Sequence, residues 1–166
     1  IGNGNQQIRR MRTAFDPQEA SLMVRKENQK RLSDYMKTRP FGEGIGLSGV
    51  DAKRFDPNRL TTNIPNDSSY VKIWVETGVV GLILYLAIHL SIIGYSAYNI
   101  MFRIKNQELK GYLMAITCGI FGLLASAYGN AFFTQYPNGM LVPFLYAFIF
   151  AGPTFDKELE NKFLNS

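Results

Sequence analysis

The stretch from Asn66 to Leu90, NDSSYVKIWVETGVVGLILYLAIHL, decides the fold. It starts as a polar loop and crosses a border holding Tyr70, Lys72, Trp74 and Glu76. Beyond that border it turns apolar: from Val79 to Ile93 only His89 and Ser91 depart from aliphatic or aromatic side chains. Rings such as Tyr70 and Trp74 suit a headgroup layer, where one side of the ring is apolar and the other wet. The stretch reads as a chain entering a bilayer from a water-facing loop.

The rest of the chain agrees. Its mean hydropathy of −0.06 would fit an ordinary soluble protein of 166 residues, but the average conceals two unlike halves. Residues 1–72 hold 13 of the 18 Lys and Arg and 8 of the 13 Asp and Glu. Residues 77–102 and 111–155 hold none. A water-soluble domain spreads its charges over its surface, whereas lipid-facing helices exclude them. Three runs, at about 73–101, 111–131 and 136–152, approach the ~20 residues that a span requires. The second carries Gly119, Gly122, Ala125 and Ser126 in a stripe that permits close helix contact. The third contains Pro143.

Short loops give the orientation. The loop with Arg103, Lys105 and Lys110 has one acid, Glu108, and the loop 129–139 has no charge. By the positive-inside rule the first is cytoplasmic and the second external. Residues 1–72 are then an extracytoplasmic loop and 156–166 a cytoplasmic tail. The cations of residues 1–72 do not oppose this, because the rule is weak for segments longer than ~60 residues. A start at Ile1, with no initiator Met or signal peptide, fits a piece of a longer polytopic protein.

In the loop region, Asp16-Pro17-Gln18-Glu19 predicts a helix start with an acidic N-cap, Pro at N1 and a capping-box Glu. The helix is expected over about 17–38, ending before Pro40. Leu22, Arg25, Gln29, Leu32 and Met36 share one of its faces, which puts Arg25 in an apolar stripe. Either its stem covers apolar surface while its head reaches water, or its guanidinium grips a phosphate. Arg9, Arg10 and Arg12 form a basic cluster suited to water, lipid headgroups or substrate. From Pro40 to Pro65 the Gly, Pro, Asn and Asp content predicts irregular loop.

Several function classes drop out. The net charge of +5 is modest, its cations alternate with acids, and no nucleic-acid motif accompanies them. The single Cys118 excludes a disulfide framework and reads as a small buried hydrophobe. Neither metal-ligand spacing nor a Ser-His-Asp or Cys-His set is present, so no metal or cofactor is expected. Residues 44–49 match GxGxxG, but a helix precedes them and a loop with Asp51, Asp56 and Pro57 follows, the reverse of a dinucleotide site. The glycines instead predict a tight turn, or amides directed at an anion. His89 reads as a neutral imidazole bonded to a neighbouring helix. Asp67 and Glu76, nine residues apart at the water boundary, are placed to flank a shared site.

Three stretches in order carry a resemblance: Ser21-Leu22-Met23-Val24-Arg25, Arg39-Pro40-Phe41-Gly42-Glu43-Gly44-Ile45-Gly46, and Asp67 to Gly81 leading into a span. Over residues 9–100 the chain resembles the C-terminal part of the O-antigen ligase and O-antigen polymerase superfamily, polytopic membrane glycosyltransferases. The resemblance implies an all-α fragment of three transmembrane helices with a helical extracytoplasmic loop, in a bacterial inner membrane. It implies transfer of a glycan from a polyprenyl-diphosphate carrier to a glycan or lipid A core acceptor, without a metal. Arg25 and Arg39 would contact diphosphate, Asp67 would act as base or orienting group, and Glu76 would support it. Ligases usually have His where this chain has Asp67, so the base and the choice between ligase and polymerase stay open. A reading from another class is a transporter or assembly component whose external loop is a docking surface.

Overall fold

A computed structural model of the chain describes residues 20–164, and all its regular structure there is helical. The four helices longer than one turn are α1 (Ala20–Met36), α3 (Ser69–Phe102), α4 (Gln107–Ser126) and α5 (Asn138–Leu164), and a single turn, α2 (Leu60–Asn63), lies between the first two. Helices α3, α4 and α5 are each long and apolar enough to cross a membrane. Their large side chains point outward: Ile83 is 61% exposed and Leu90 58%. A water-soluble protein would hide them, at ~1.5–3 kcal/mol for each such side chain. The three therefore form a thin bundle whose outer face is built for lipid.

The inner face of the bundle is a strip of Ile120, Leu124, Ala127, Phe133, Val142 and Ile149. The small-residue stripe of α4 does not take part. Gly119 and Gly122 have nothing within 4 Å of where a Cβ would stand, and Leu113, Thr117, Ile120 and Leu124 face inward instead. Cys118 lies on the outward side too, so the expectation of burial fails. Both faces of this helix are apolar, and packing rather than hydropathy selects the inner one. Across the bundle the Ser96 and Thr117 hydroxyls meet at 2.6 Å.

Helix α5 runs through Pro143 and Pro153 to Leu164, so the helix itself continues beyond the apolar run into the charged residues 156–164. Spanning helices tolerate proline because neighbours supply the missing bonds. Asp156, 6% exposed, accepts hydrogen bonds from the Lys105 amide at 3.1 Å and the Asn106 amide at 2.9 Å. It thereby ties α5 to the start of α4, where the Asn106 side chain accepts from the Leu109 amide. Asp156→Ala strips these charge-assisted bonds and is expected to lower stability by about 2–3 kcal/mol. The thermal unfolding midpoint of the solubilised protein checks this.

Above the other end of the bundle sits the loop region. The predicted N-cap at Asp16 and the cluster Arg9, Arg10 and Arg12 lie outside the described residues. Helix α1 ends at Met36, close to the predicted stop, and buries Leu32 and Met36 from the predicted stripe. Leu32 packs with Ile64 and Val75, flanked by Leu60, Val71 and Trp74, which seats α1 against the first turns of α3. The segment 40–65 is less irregular than expected, since it contains α2 and a 3-10 turn, Val50–Arg54. Buried threonines hold them: the Thr61 hydroxyl donates to the Leu47 carbonyl at 2.9 Å and that of Thr62 to the Asp56 carbonyl at 2.7 Å.

Candidate functional site

Helix α3 is not continuous. At Gly78 the backbone leaves the helical region (φ 72°, ψ −173°), a conformation essentially reserved for glycine. In an unbroken helix the Val75 and Glu76 carbonyls would accept from amides four residues on. Here the 39–46 loop takes over: Glu43 donates its amide to Val75 (2.9 Å) and Gly44 to Glu76 (3.0 Å), while the Val80 amide donates to Pro40 (3.4 Å). A Cβ on Gly42 would stand 2.5 Å from the Glu76 carbonyl, and one on Gly78 would overlap that of Pro40. The two glycines thus let one motif of the sequence dock into the other.

The docked loop is clamped by its own charge. Glu43, with a side chain 5% exposed, pairs with Arg39 and, at 2.7 Å, with Arg59. Arg59 also bonds Asp56 at 2.7 Å, which holds that carboxyl below its usual range. Arg39 further donates to the Tyr35 carbonyl at 3.2 Å and stacks over the Tyr35 ring. Its donors are therefore taken up by Glu43 of the loop and by the end of α1.

Between this loop, the start of α3 and the turn Ala131–Thr134 lies a cleft of about 350 Å³. Lys72 and Glu76 from α3, Asn66, Arg54 and Gln135 contribute its polar lining. Glu76 Oε1 is buried and has no hydrogen-bond partner among the described residues. Such an atom is costly to leave unmatched, and the arrangement favours a proton donor arriving in the cleft. Asn66 is fixed by the Ser48 hydroxyl, which donates to its Oδ1 at 2.8 Å. The cleft precedes the charge-free part of α3, at the boundary between polar loop and apolar span.

Of the expected site residues, Arg25 and Asp67 come together: Arg25 Nε is 3.6 Å from Asp67 Oδ2, and both side chains are about two-fifths exposed. Asp67 follows the cleft-lining Asn66 in the chain, but neither Arg25 nor Asp67 lines the cleft. Glu76 lies inside the cleft, and Arg39 is held away from it by Glu43. Sequence reasoning passed over Lys72, Arg54, Asn66 and Gln135. Lys72 alone left a legible signal, one turn before Glu76 on the same face.

The other motifs play no part in this cleft's chemistry, apart from the Gly-rich turn that lines it. Among the described residues no strand precedes 44–49, and Gly44, Gly46 and Gly49 follow a tight positive-φ path. His89 bonds the Tyr85 carbonyl of its own helix at 2.8 Å rather than a neighbouring helix, and is ringed by Tyr85, Phe133 and Tyr146. Among the described residues, no three His, Cys, Asp or Glu side chains are grouped to hold a metal.

The loop region is bonded to the bundle by the start of α3. The Ser69 amide and Ser68 hydroxyl donate to the Ala127 carbonyl, both at 3.1 Å, and the Tyr70 hydroxyl donates to that of Leu124. The last carbonyls of α4 thus find their partners on α3. Compared with known proteins, the chain matches no family model, no curated protein and no solved structure.

Proposed function

We propose that the chain belongs to a membrane glycosyltransferase of the O-antigen ligase or polymerase type. It moves a glycan from a polyprenyl-diphosphate carrier to a sugar acceptor on the extracytoplasmic face of a bacterial inner membrane. The observation that supports this reading is the meeting of Arg25 and Asp67, one residue along the chain from the cleft-lining Asn66, with Glu76 inside that cleft at the border of an apolar span. A lipid-linked donor needs its reacting end at that depth, with its chain in the bilayer.

The chemistry follows from these groups. Glu76 Oε1 accepts the proton of the acceptor hydroxyl as that oxygen bonds the anomeric carbon of the donor sugar. The bond from the anomeric carbon to the phosphate oxygen breaks, and its electron pair leaves on the diphosphate. Arg25 exchanges Asp67 for phosphate oxygens and neutralises the charge that develops there. Asp67 holds the guanidinium ready until the donor arrives. Arg39 holds the loop through Glu43 and acts as a positioning residue.

Arg25→Ala tests the reading. Glycan transfer in cells is expected to fall about tenfold or more, the worth of a charge-assisted contact to phosphate, at unchanged membrane abundance. Unchanged transfer removes Arg25 from the mechanism and favours the docking-surface alternative.

A further inference from the structure

Arg25 and Arg39 each already face a carboxylate, Asp67 and Glu43. The cleft contains two cations without a direct ion pair, although Lys72 stands one turn from Glu76 and acts on it through space. Lys72 and Arg54 line it, and neither forms an ion pair among the described residues. Arg54 lies over the Phe55 ring, 4.7 Å from its centre, which orients the guanidinium plane while leaving its N–H donors open. The Asn66 amide adds a neutral donor, since Ser48 occupies its oxygen and leaves Nδ2 as the free end. Two acids share the lining: Asp51, which is exposed, and Glu76, whose buried oxygen is the unmatched acceptor. Two cations without a direct ion pair, Lys72 close to Glu76 and Arg54 on the facing loop, beside an unmatched carboxylate oxygen, suit a ligand that carries an oxyanion next to a hydroxyl.

We infer that Lys72 and Arg54 form an oxyanion subsite in the cleft, which takes phosphate oxygens of a sugar diphosphate while Glu76 faces the reacting hydroxyl. The identity of the anion rests on the glycosyl-transfer reading; the subsite itself rests on these two cations. Lys72 supplies a movable point charge and Arg54 a planar fork, so together they follow the phosphate as its charge grows on departure. Lys72 and Arg54 then contact the diphosphate from within the cleft, and Arg25 from outside it.

The test uses the full-length protein in phosphatidylcholine nanodiscs, titrated with inorganic diphosphate in a calorimeter. Lys72→Gln and Arg54→Gln are each expected to weaken binding about tenfold. Lys72→Arg keeps the charge and should stay within about threefold of the parent. Lys53→Gln, an exposed neighbour outside the cleft, should stay within about twofold. Circular dichroism and gel filtration confirm that each variant is folded. Binding unaltered by both Lys72→Gln and Arg54→Gln overturns the inference, as does an absence of binding by the parent. If Arg25→Gln alone abolishes binding, the subsite falls and the transfer reading stands. If binding follows Lys72 and Arg54 but the parent transfers no glycan, the transfer reading falls and the subsite stands.

Discussion

Glu76→Gln is expected to reduce glycan transfer by about 10²- to 10⁴-fold, the range typical of a lost general base. The amide has nearly the volume of the carboxylate and keeps a carbonyl acceptor, but it cannot take a proton at any useful pH. Donor affinity should change by no more than about threefold, because the cations of the site are untouched. Measured on the full-length protein, the loss should therefore belong to turnover rather than to donor saturation. Asp67→Asn provides the contrast: it frees Arg25 from its partner, and its main effect should fall on donor binding. If Asp67→Asn is the variant that abolishes turnover while Glu76→Gln is active, the roles of the two carboxylates are reversed.

Gly78→Ala is the second large effect, and it acts through the fold. The φ/ψ pair at this residue costs an alanine ~1–3 kcal/mol by itself, and the new methyl group would overlap the Pro40 carbonyl. Relief requires either a regular helix through residue 78 or displacement of the loop. Both break the three backbone bonds that join residues 40–44 to α3. With the loop undocked, the cleft loses its Gly46–Gly49 wall. Limited proteolysis should then cut within residues 41–49, transfer should be abolished, and the three spans should persist by circular dichroism. A protease-resistant, active Gly78→Ala protein would show that the docking is dispensable.

How far these features can be read from the chain alone depends on their physical range. The spans are local facts of composition, and the charge-free runs locate them to within a few residues, although helix α5 itself continues past Pro153. The buried stripe of α1 is likewise local, written in the spacing of Leu32 and Met36. The docking at Gly78 is not local. Glu43 and Val75 are 32 residues apart, and nothing near either announces that a loop completes a broken helix. The two motifs are legible one by one, and only their juxtaposition shows why both need glycine. The site divides in the same way. Lys72 and Glu76 share a helix face by spacing, whereas Arg54 and Gln135 reach the cleft from distant segments. Which side of α4 faces inward was hidden for a different reason, since lipid and protein interior are equally apolar surroundings.

The bonds from Ser68, Ser69 and Tyr70 to the end of α4 make the cleft answer to the bilayer itself. A span meeting a thinner or thicker hydrocarbon layer adjusts by tilting. Because the threshold of α3 is fastened to the end of α4, a tilt of that neighbour is passed to the turns of α3 that carry Lys72 and Glu76, on the polar side of the break at Gly78. On the proposed function, acyl-chain length thus becomes a setting of the transfer, and the lipids around this protein act as part of its machinery rather than as its container.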